Sequence, residues 1–264
     1  CISSRGEFVK RFEQAFTQYH RGGYSTSACN GTAALHLALL ALGIGEGDEV
    51  IVPSLTYVAS VNAITYVGAK PVFVDSDEET WNLDASLIEA KVTNKTKAII
   101  AVHLYGAVCD MNSLQEICTK HRLFLIEDVA EAFGSQYKGE FAGTFGDVAA
   151  FSFFGNKTIT TGEGGMVLSS SKQLAERATY LKSQAVSSSV EYWHEEIGYN
   201  YRMTNLCAAI GLAQLERVDE IIKKKGEIAS WYRQELDGLP YKFQVEEEAT
   251  THTHWMVCIL AENQ

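Results

Sequence analysis

The sequence predicts an α/β protein with a mostly parallel central sheet flanked by helices. Two observations carry that expectation. Short β-rich runs, "DEVIVPS", "KPVFVDS", "KAIIAVHL", "LFLIEDVA" and "DVAAFSF", recur along the chain up to residue 153, and near-continuous apolar runs mark strands buried on both faces. Helical stretches joined by short links lie between several of them, and parallel neighbours need such crossovers. Ligands of these sheets gather beyond the carboxyl ends of the strands.

Taken in order, "CISSRGEFVKRFEQAF" is charged and amphipathic, unlike a secretory leader, and reads as a start in mid-structure. "TAALHLALLALG" is a helix closing on a glycine, and "TYVASVNAITYVG", "ASLIEAKV" and "NSLQEICTKHR" are the helices that follow. After about residue 200 one long helical region, "NLCAAIGLAQLERVDEIIKKKGEIASWYRQEL", carries apolar residues at three- and four-residue spacing and stops at "DGLP". The remainder, "YKFQVEEEATTHTHWMVCIL", has strand character but is too short for a core of its own. The expected division is therefore a large domain over residues 1–222 and, over 223–264, the start of an incomplete α+β domain. A C-terminal portion is expected beyond the sequence.

At 264 residues, 46% of them hydrophobic and 21% charged, the chain is long enough for a full core and is not of disordered type. Its net charge of -11 argues against nucleic acid or an anionic membrane surface as partner. No run of about 18 apolar residues suggests a membrane span. Six cysteines, at 1, 29, 109, 118, 207 and 258, show no C-x-x-C pair or metal-ligand spacing, so reduced thiols in the cytoplasm are the simpler expectation.

Three motifs are set aside. "GNKT" lacks the glycine directly before its lysine that a P-loop needs, since Asn156 intervenes, and Ala150 stands where the earlier glycine belongs. Gly43, Gly45 and Gly47 of "GIGEGDE" follow a helix and precede a strand, the reverse of the dinucleotide-binding order. His252 and His254 of "HTH" would share a strand face, but no third metal ligand accompanies them and they read as solvent-facing. No metal site is expected.

"FSFFGNKTITTGEGGM" sets Lys157 among phenylalanines, threonines and glycines, six positions from its nearest acid in sequence. Apolar walls lower an amine's pKa and make it a nucleophile for Schiff-base chemistry; the plainer reading is a loop lysine reaching into water. Three other stretches favour the first. Asn30, Gly31 and Thr32 open a strong helix, whose free N–H groups suit a phosphate or simply an N-cap. Glu127 and Asp128 end a buried strand, where an acid can hold a proton on a heteroaromatic nitrogen or cap the next helix. Tyr57 follows another strand end and suits either stacking on a flat ring or core packing.

The order and wording of "SSRGEFVKRFEQAF", "NGTAALHLAL", "PSLTYVASVNAI", "PVFVD", "EDVAEAFG", "SFFGNKTITTGEGGM" and "YWHEEIGYNYRMTNLCAAIGLAQL" resemble the DegT/DnrJ/EryC1/StrS family of sugar aminotransferases. The resemblance covers nearly the whole chain and implies the fold-type I architecture and pyridoxal 5′-phosphate as cofactor. It implies that Lys157 forms the Schiff base with the cofactor and that Asp128 pairs with the pyridine nitrogen. Thr32, Gly31 and Ser152 would hold the phosphate, with Tyr57 against the ring. Asn200 of "GYNYRM" would reach the phosphate of a neighbouring subunit, so a homodimer is implied. Glu131 stands where many relatives carry glutamine against the ring hydroxyl. L-glutamate is the implied amino donor, and a keto-sugar linked to a nucleoside diphosphate the acceptor. "FFGNKTITTGEGGM" is most similar to the branch that aminates C4 of GDP-4-keto-6-deoxymannose to give GDP-perosamine for lipopolysaccharide or other surface glycans. A related sugar 3-dehydratase carries histidine at the lysine position, so Lys157 disfavours that chemistry. A regulatory or binding protein on the same fold, or another lyase using the same cofactor, is the remaining alternative.

Overall fold

A computed structural model of the chain describes residues 2–190, 192–247 and 249–261. Helix α1 (Glu7–Tyr19) leads into strand β1 (Tyr24–Ala28), followed by α2 (Gly31–Ala41), β2 (Glu49–Pro53), α3 (Ala59–Tyr66), β3 (Lys70–Val74) and β4 (Thr96–Val102). Then come α4 (Met111–His121), β5 (Phe124–Asp128), a small hairpin of β6 (Gln136–Tyr137) and β7 (Glu140–Phe141), β8 (Val148–Ser152), β9 (Gly165–Ser169) and α5 (Lys172–Leu181). The chain continues through α6 (Asn205–Leu215), α7 (Val218–Glu235), β10 (Tyr241–Phe243), β11 (Thr250–Thr251) and β12 (Ile259–Ala261).

Among the described residues the main sheet has the order β1-β9-β8-β5-β4-β2-β3. The β3-β2-β4-β5-β8 segment is parallel, and β9 and β1 add to it antiparallel. The parallel strands are the apolar runs of the sequence. The two antiparallel ones escaped it, because "YSTSA" is polar and "GMVLS" follows a glycine-rich turn with no β-branched run to announce it.

Strand alternation divides the interior into two cores. Val50 and Val52, Ala98 and Ile100, Ile126, Val148 and Ala150 face one side, packed with Leu35, Leu37 and Leu39 of α2 and Ile64 of α3. Ile51, Ile99, Leu125, Ala149 and Phe151 face the other, packed with Phe12 and Phe16 of α1, Leu114 of α4 and Ala208 of α6. Helix α2 is apolar on nearly all sides because it is enclosed by the sheet, α3 and α5. Side chains cap several helix starts: Asn30 accepts from Ala33, Asp110 from Ser113, Ser171 from Leu174 and Thr204 from Cys207.

Three sequence expectations need correction. "ASLIEAKV" is not an α-helix but two single 3-10 turns, Ala85–Leu87 and Glu89–Lys91. Its segment is too short to repay helix nucleation, and it is pinned by the wholly buried Ile88 and by the Asp84 side chain accepting from Ser86. The long helical region after residue 200 breaks between Leu215 and Val218, where Arg217 leaves helical geometry (φ -116°, ψ 10°). Both flanking residues, Leu215 and Val218, are buried in the same core, which the bend allows. His252 and His254 are half-buried rather than solvent-facing: their rings stack at 4.2 Å, and His252 Nε2 meets Gln244 Oε1 at 3.2 Å. Burial lowers the His252 pKa to about 3.

The boundary expected at residue 222 falls inside α7. Beyond it, β10 pairs with β12, while β11 pairs with β6 and Thr253 Oγ1 meets Ser135 Oγ at 2.7 Å, so this segment is stitched to the main body.

His20, at the end of α1, gives a test of the aromatic core. It is packed among Phe16, Phe133, Phe141 and Phe151, and its Nε2 has no partner among the described residues. Burial lowers its pKa to about 4. An unfolded histidine takes its proton near pH 6.5 and the folded one not until about 4. Stability is therefore lost as pH falls through that window, by about 3 kcal/mol in all. His20→Phe is expected to remove this loss, so the variant should gain on the wild type in urea melts as pH drops from 6.5 to 4. An unchanged difference across that range would refute the assignment.

Candidate active site

The carboxyl ends of β4, β5 and β8 and the N-terminus of α2 open on one cavity of about 380 Å³. Its walls include Gly31, Thr32, Tyr57, Asp128, Glu131, Ser152 and Lys157. These residues lie up to 126 positions apart in sequence (157 − 31), and the parallel topology collects them at one edge of the sheet.

Alternation on β5 separates its two terminal acids. Asp128 lies on the α2 side and lines the cavity, with Oδ2 accepting from Ser60 Oγ at 2.7 Å and Oδ1 from Ala130 N at 3.1 Å. Glu127 points into the opposite layer, wholly buried. There it accepts from the backbone N–H groups of Gly143, Phe145 and Gly146 at 2.7 to 2.8 Å. His103 Nε2 also meets it at 3.0 Å; because His103 Nδ1 accepts from Cys109 N at 3.2 Å, Nε2 carries the proton and donates. Glu127 thus staples the turn before β8, while Asp128 is left for the cavity.

Lys157 sits on the turn after β8. That turn is braced by Lys157 N donating to Phe154 O at 3.0 Å and by Phe153 exchanging hydrogen bonds with Gly164 and Thr161 at 2.8 and 2.9 Å. Its side chain is 14% exposed, so it does not reach into water. Nor is it far from acid in space, as it is in sequence: Nζ lies 3.9 Å from Glu131 Oε1 and 3.8 Å from the centroid of the Trp255 ring. Burial lowers the pKa of the amine, opposed by Glu131 and Asp128. Burial likewise raises the pKa of Glu131, whose Oε2 accepts from Tyr105 N at 2.8 Å.

At the other end of the cavity Asn30 Oδ1 accepts from Ala33 N and Asn30 O from Ala34 N, which leaves the N–H groups of Gly31 and Thr32 free of helix bonds. A Cβ on Gly31 would stand 2.6 Å from Ser152 Cβ, so only glycine lets the α2 tip and the β8 end approach this closely. One on Gly165, the first residue of β9, would stand 2.4 Å from Asn30 O, so that position too needs glycine. Free amides, the Thr32 and Ser152 hydroxyls and the positive end of α2 fit a phosphate. An aspartate, a desolvated lysine and that cradle, spread along one cavity, fit the nitrogen, the aldehyde and the phosphate of pyridoxal phosphate.

Two expected residues lie at or beyond the rim. Tyr57 lines the cavity mouth but is 70% exposed, beside the exposed Leu55 and Val58. Asn200 is exposed, bridges to Ser183 and is not part of this chain's cavity wall. Two residues were missed. Ser60 is the second residue of α3 and gave no sign in sequence that it would meet Asp128, 68 positions away. Trp255 closes the cavity from the C-terminal segment, its Nε1 donating to Asn156 O across 99 positions at 2.8 Å.

A model of the DegT/DnrJ/EryC1/StrS aminotransferase family matches residues 1–264. The chain is 58% identical over 259 residues to the GDP-perosamine synthase of Escherichia coli O157:H7, covering 98% of this chain and 71% of that protein. It is 52% identical over 263 residues to the GDP-perosamine synthase of Vibrio cholerae, covering 100% and 72%. Among solved structures it resembles S. venezuelae DesV in complex with a ketimine intermediate, with a TM-score of 0.93, 37% identity, and 98% and 70% of the two chains covered.

Proposed function

The chain belongs to the DegT/DnrJ/EryC1/StrS aminotransferase family, and from that membership we propose that it moves an amino group from L-glutamate to GDP-4-keto-6-deoxymannose, giving GDP-perosamine. The observation that carries the reaction is the meeting of Lys157 and Asp128 in one cavity with a phosphate cradle. The choice of sugar rests on the likeness to two GDP-perosamine synthases along nearly the whole chain. We read the product as a precursor of lipopolysaccharide or another surface glycan. A cytoplasmic site of action is supported by the five described cysteines, all free thiols; among the described residues no helix is long and apolar enough to cross a membrane.

Pyridoxal phosphate supplies a carbonyl that exchanges amines and a ring that draws electrons from the substrate carbon. The chain's residues do the rest. The amides of Gly31 and Thr32 with the hydroxyls of Thr32 and Ser152 would hold the phosphate and so anchor the cofactor in the cavity. Asp128 would keep a proton on the ring nitrogen, and Ser60 and Ala130, donating to its two oxygens, keep its carboxylate aimed. Tyr57, at the mouth, would flank the ring, and Glu131, on the cavity wall, would face the ring hydroxyl. Lys157 Nζ, its pKa lowered by burial, would take a proton from the glutamate carbon in one half of the cycle. It returns a proton to the sugar carbon in the other. The decisive experiment gives the full-length protein L-glutamate and a panel of keto-sugar nucleotides. GDP-4-keto-6-deoxymannose should be the acceptor aminated fastest; preference for another nucleotide or ring carbon would refute the sugar assignment.

We read the enzyme as a homodimer with shared sites. Asn200 is exposed and away from its own cavity, and the neighbouring stretch exposes Tyr192 (89%), Trp193 and Ile197 (80%), apolar surface of the kind an interface covers. If Asn200 completes the partner's phosphate site, mixing Lys157→Ala with Asn200→Ala should restore activity, since hybrid dimers hold one intact site. At full exchange half the dimers are hybrids with one such site each, about a quarter of wild-type activity. Hybrids that form without any recovery would count against sharing.

A further inference from the structure

Resting on the reading of Lys157 as the exchanging lysine, a further question is what holds its amine once free. Nζ lies 3.8 Å from the centroid of the Trp255 ring and 3.9 Å from Glu131 Oε1. Neither partner is loose. The Trp255 indole N–H donates to Asn156 O at 2.8 Å, Lys225 Nζ donates to the Trp255 carbonyl at 3.2 Å, and the ring lies nearly parallel to that of Tyr105, at 6.5 Å and 17°. Tyr105 adopts φ 59°, a region few residues other than glycine occupy. In that conformation its N–H donates to Glu131 Oε2, leaving Oε1 for the lysine. The contacts close a ring: Lys157 to Trp255, Trp255 to Tyr105, Tyr105 to Glu131 and Glu131 back to Lys157.

We propose that Trp255 and Glu131 form a seat for the free ammonium of Lys157, an aromatic face on one side and a carboxylate oxygen on the other, and that both are positioning residues for its proton transfer. An ammonium is attracted to the face of an indole and to a carboxylate, and more strongly where water is scarce. Without a seat, a long flexible side chain would lose its aim between leaving the cofactor and returning to it. The other charged or titratable groups around it are Asp128 across the cavity, Glu163 on its wall, Cys258 beside Glu131, and Lys225 behind Trp255. Burial lowers the pKa of the amine, and Glu131 and Asp128 oppose that shift by favouring the charged form.

The test is made on full-length protein stripped of cofactor. Pulses of labelled acetic anhydride at a series of pH values, with the Lys157 peptide quantified by mass spectrometry and the exposed Lys95 as internal standard, give the pH midpoint at which the amine becomes reactive. Glu131→Gln keeps the shape and the acceptor for Tyr105. Trp255 is replaced by its tetrafluoro analogue through codon suppression, because shortening it would admit water and mask the loss of the ring. Losing the carboxylate charge is expected to lower the midpoint by about one pH unit, a tenfold larger neutral fraction at a given lower pH. Weakening the ring's negative face should lower it by roughly half a unit, about threefold. Unmoved midpoints in both folded variants would overturn the seat, and an unmoved midpoint in one alone would remove that residue from it. Borohydride reduction of the cofactor-loaded wild type separates this from the functional reading. Linkage at a lysine other than Lys157 sinks the function without touching the midpoints, whereas linkage at Lys157 with flat midpoints sinks the seat alone.

Discussion

Lys157→Ala is expected to keep the fold and abolish the glutamate half-reaction, slowing it by at least about 10⁴-fold, because one side chain supplies both the covalent partner and the base. Little of the fold depends on this lysine. Its ion-pair partner is 3.9 Å away and its turn is held by backbone bonds from Phe153, Phe154, Thr161 and Gly164. The variant should therefore melt close to the wild type and form the same oligomer. With glutamate added, its cofactor should not bleach over times in which the wild type bleaches completely. A small primary amine diffusing into the space left by the side chain should restore a fraction of the rate, since the missing function is a base and not a scaffold. Bleaching at the wild-type rate without added amine would end the assignment of Lys157.

Asp128→Asn is the second large effect, expected at about 10³-fold on the same half-reaction. Shape is conserved, but an amide has only one acceptor oxygen where the carboxylate uses two, for Ser60 Oγ and Ala130 N. Its NH₂ must then oppose one of those donors or the ring nitrogen. More important, an uncharged amide cannot stabilise a proton on that nitrogen, so the ring draws electrons less strongly. Single-turnover kinetics with glutamate read this directly. A loss appearing only as weaker cofactor binding, with an unchanged rate at saturation, would assign Asp128 a holding role and not an electronic one.

The structure also explains which parts of the molecule the sequence could reveal. Buried parallel strands must be apolar on both faces, so "DEVIVPS", "KAIIAVHL" and "LFLIEDVA" are visible as runs of one residue class, and "TAALHLALLALG" as an enclosed helix. Where an element is defined by its neighbours, as β1 and β9 are by pairing with each other, local composition is silent. The 3-10 turns at 85–91 and the break at Arg217 are likewise decided by which residues reach the core.

The candidate site divides along the same line. Residue types and their order determined the lysine, the acid-ended strand and the glycine at a helix tip, since each chemistry needs its own functional group and a backbone that presents it. Tertiary structure decided which of two adjacent acids faces the cavity, because Glu127 and Asp128 alternate across one strand and only the layers on either side give those faces different meanings. It also decided that Lys157, isolated from acid along the chain, has Glu131 and an indole beside it, and that Ser60 holds Asp128. Such pairings depend on distances through space between segments far apart in the chain, and those distances exist only once the strands have paired and the helices have packed.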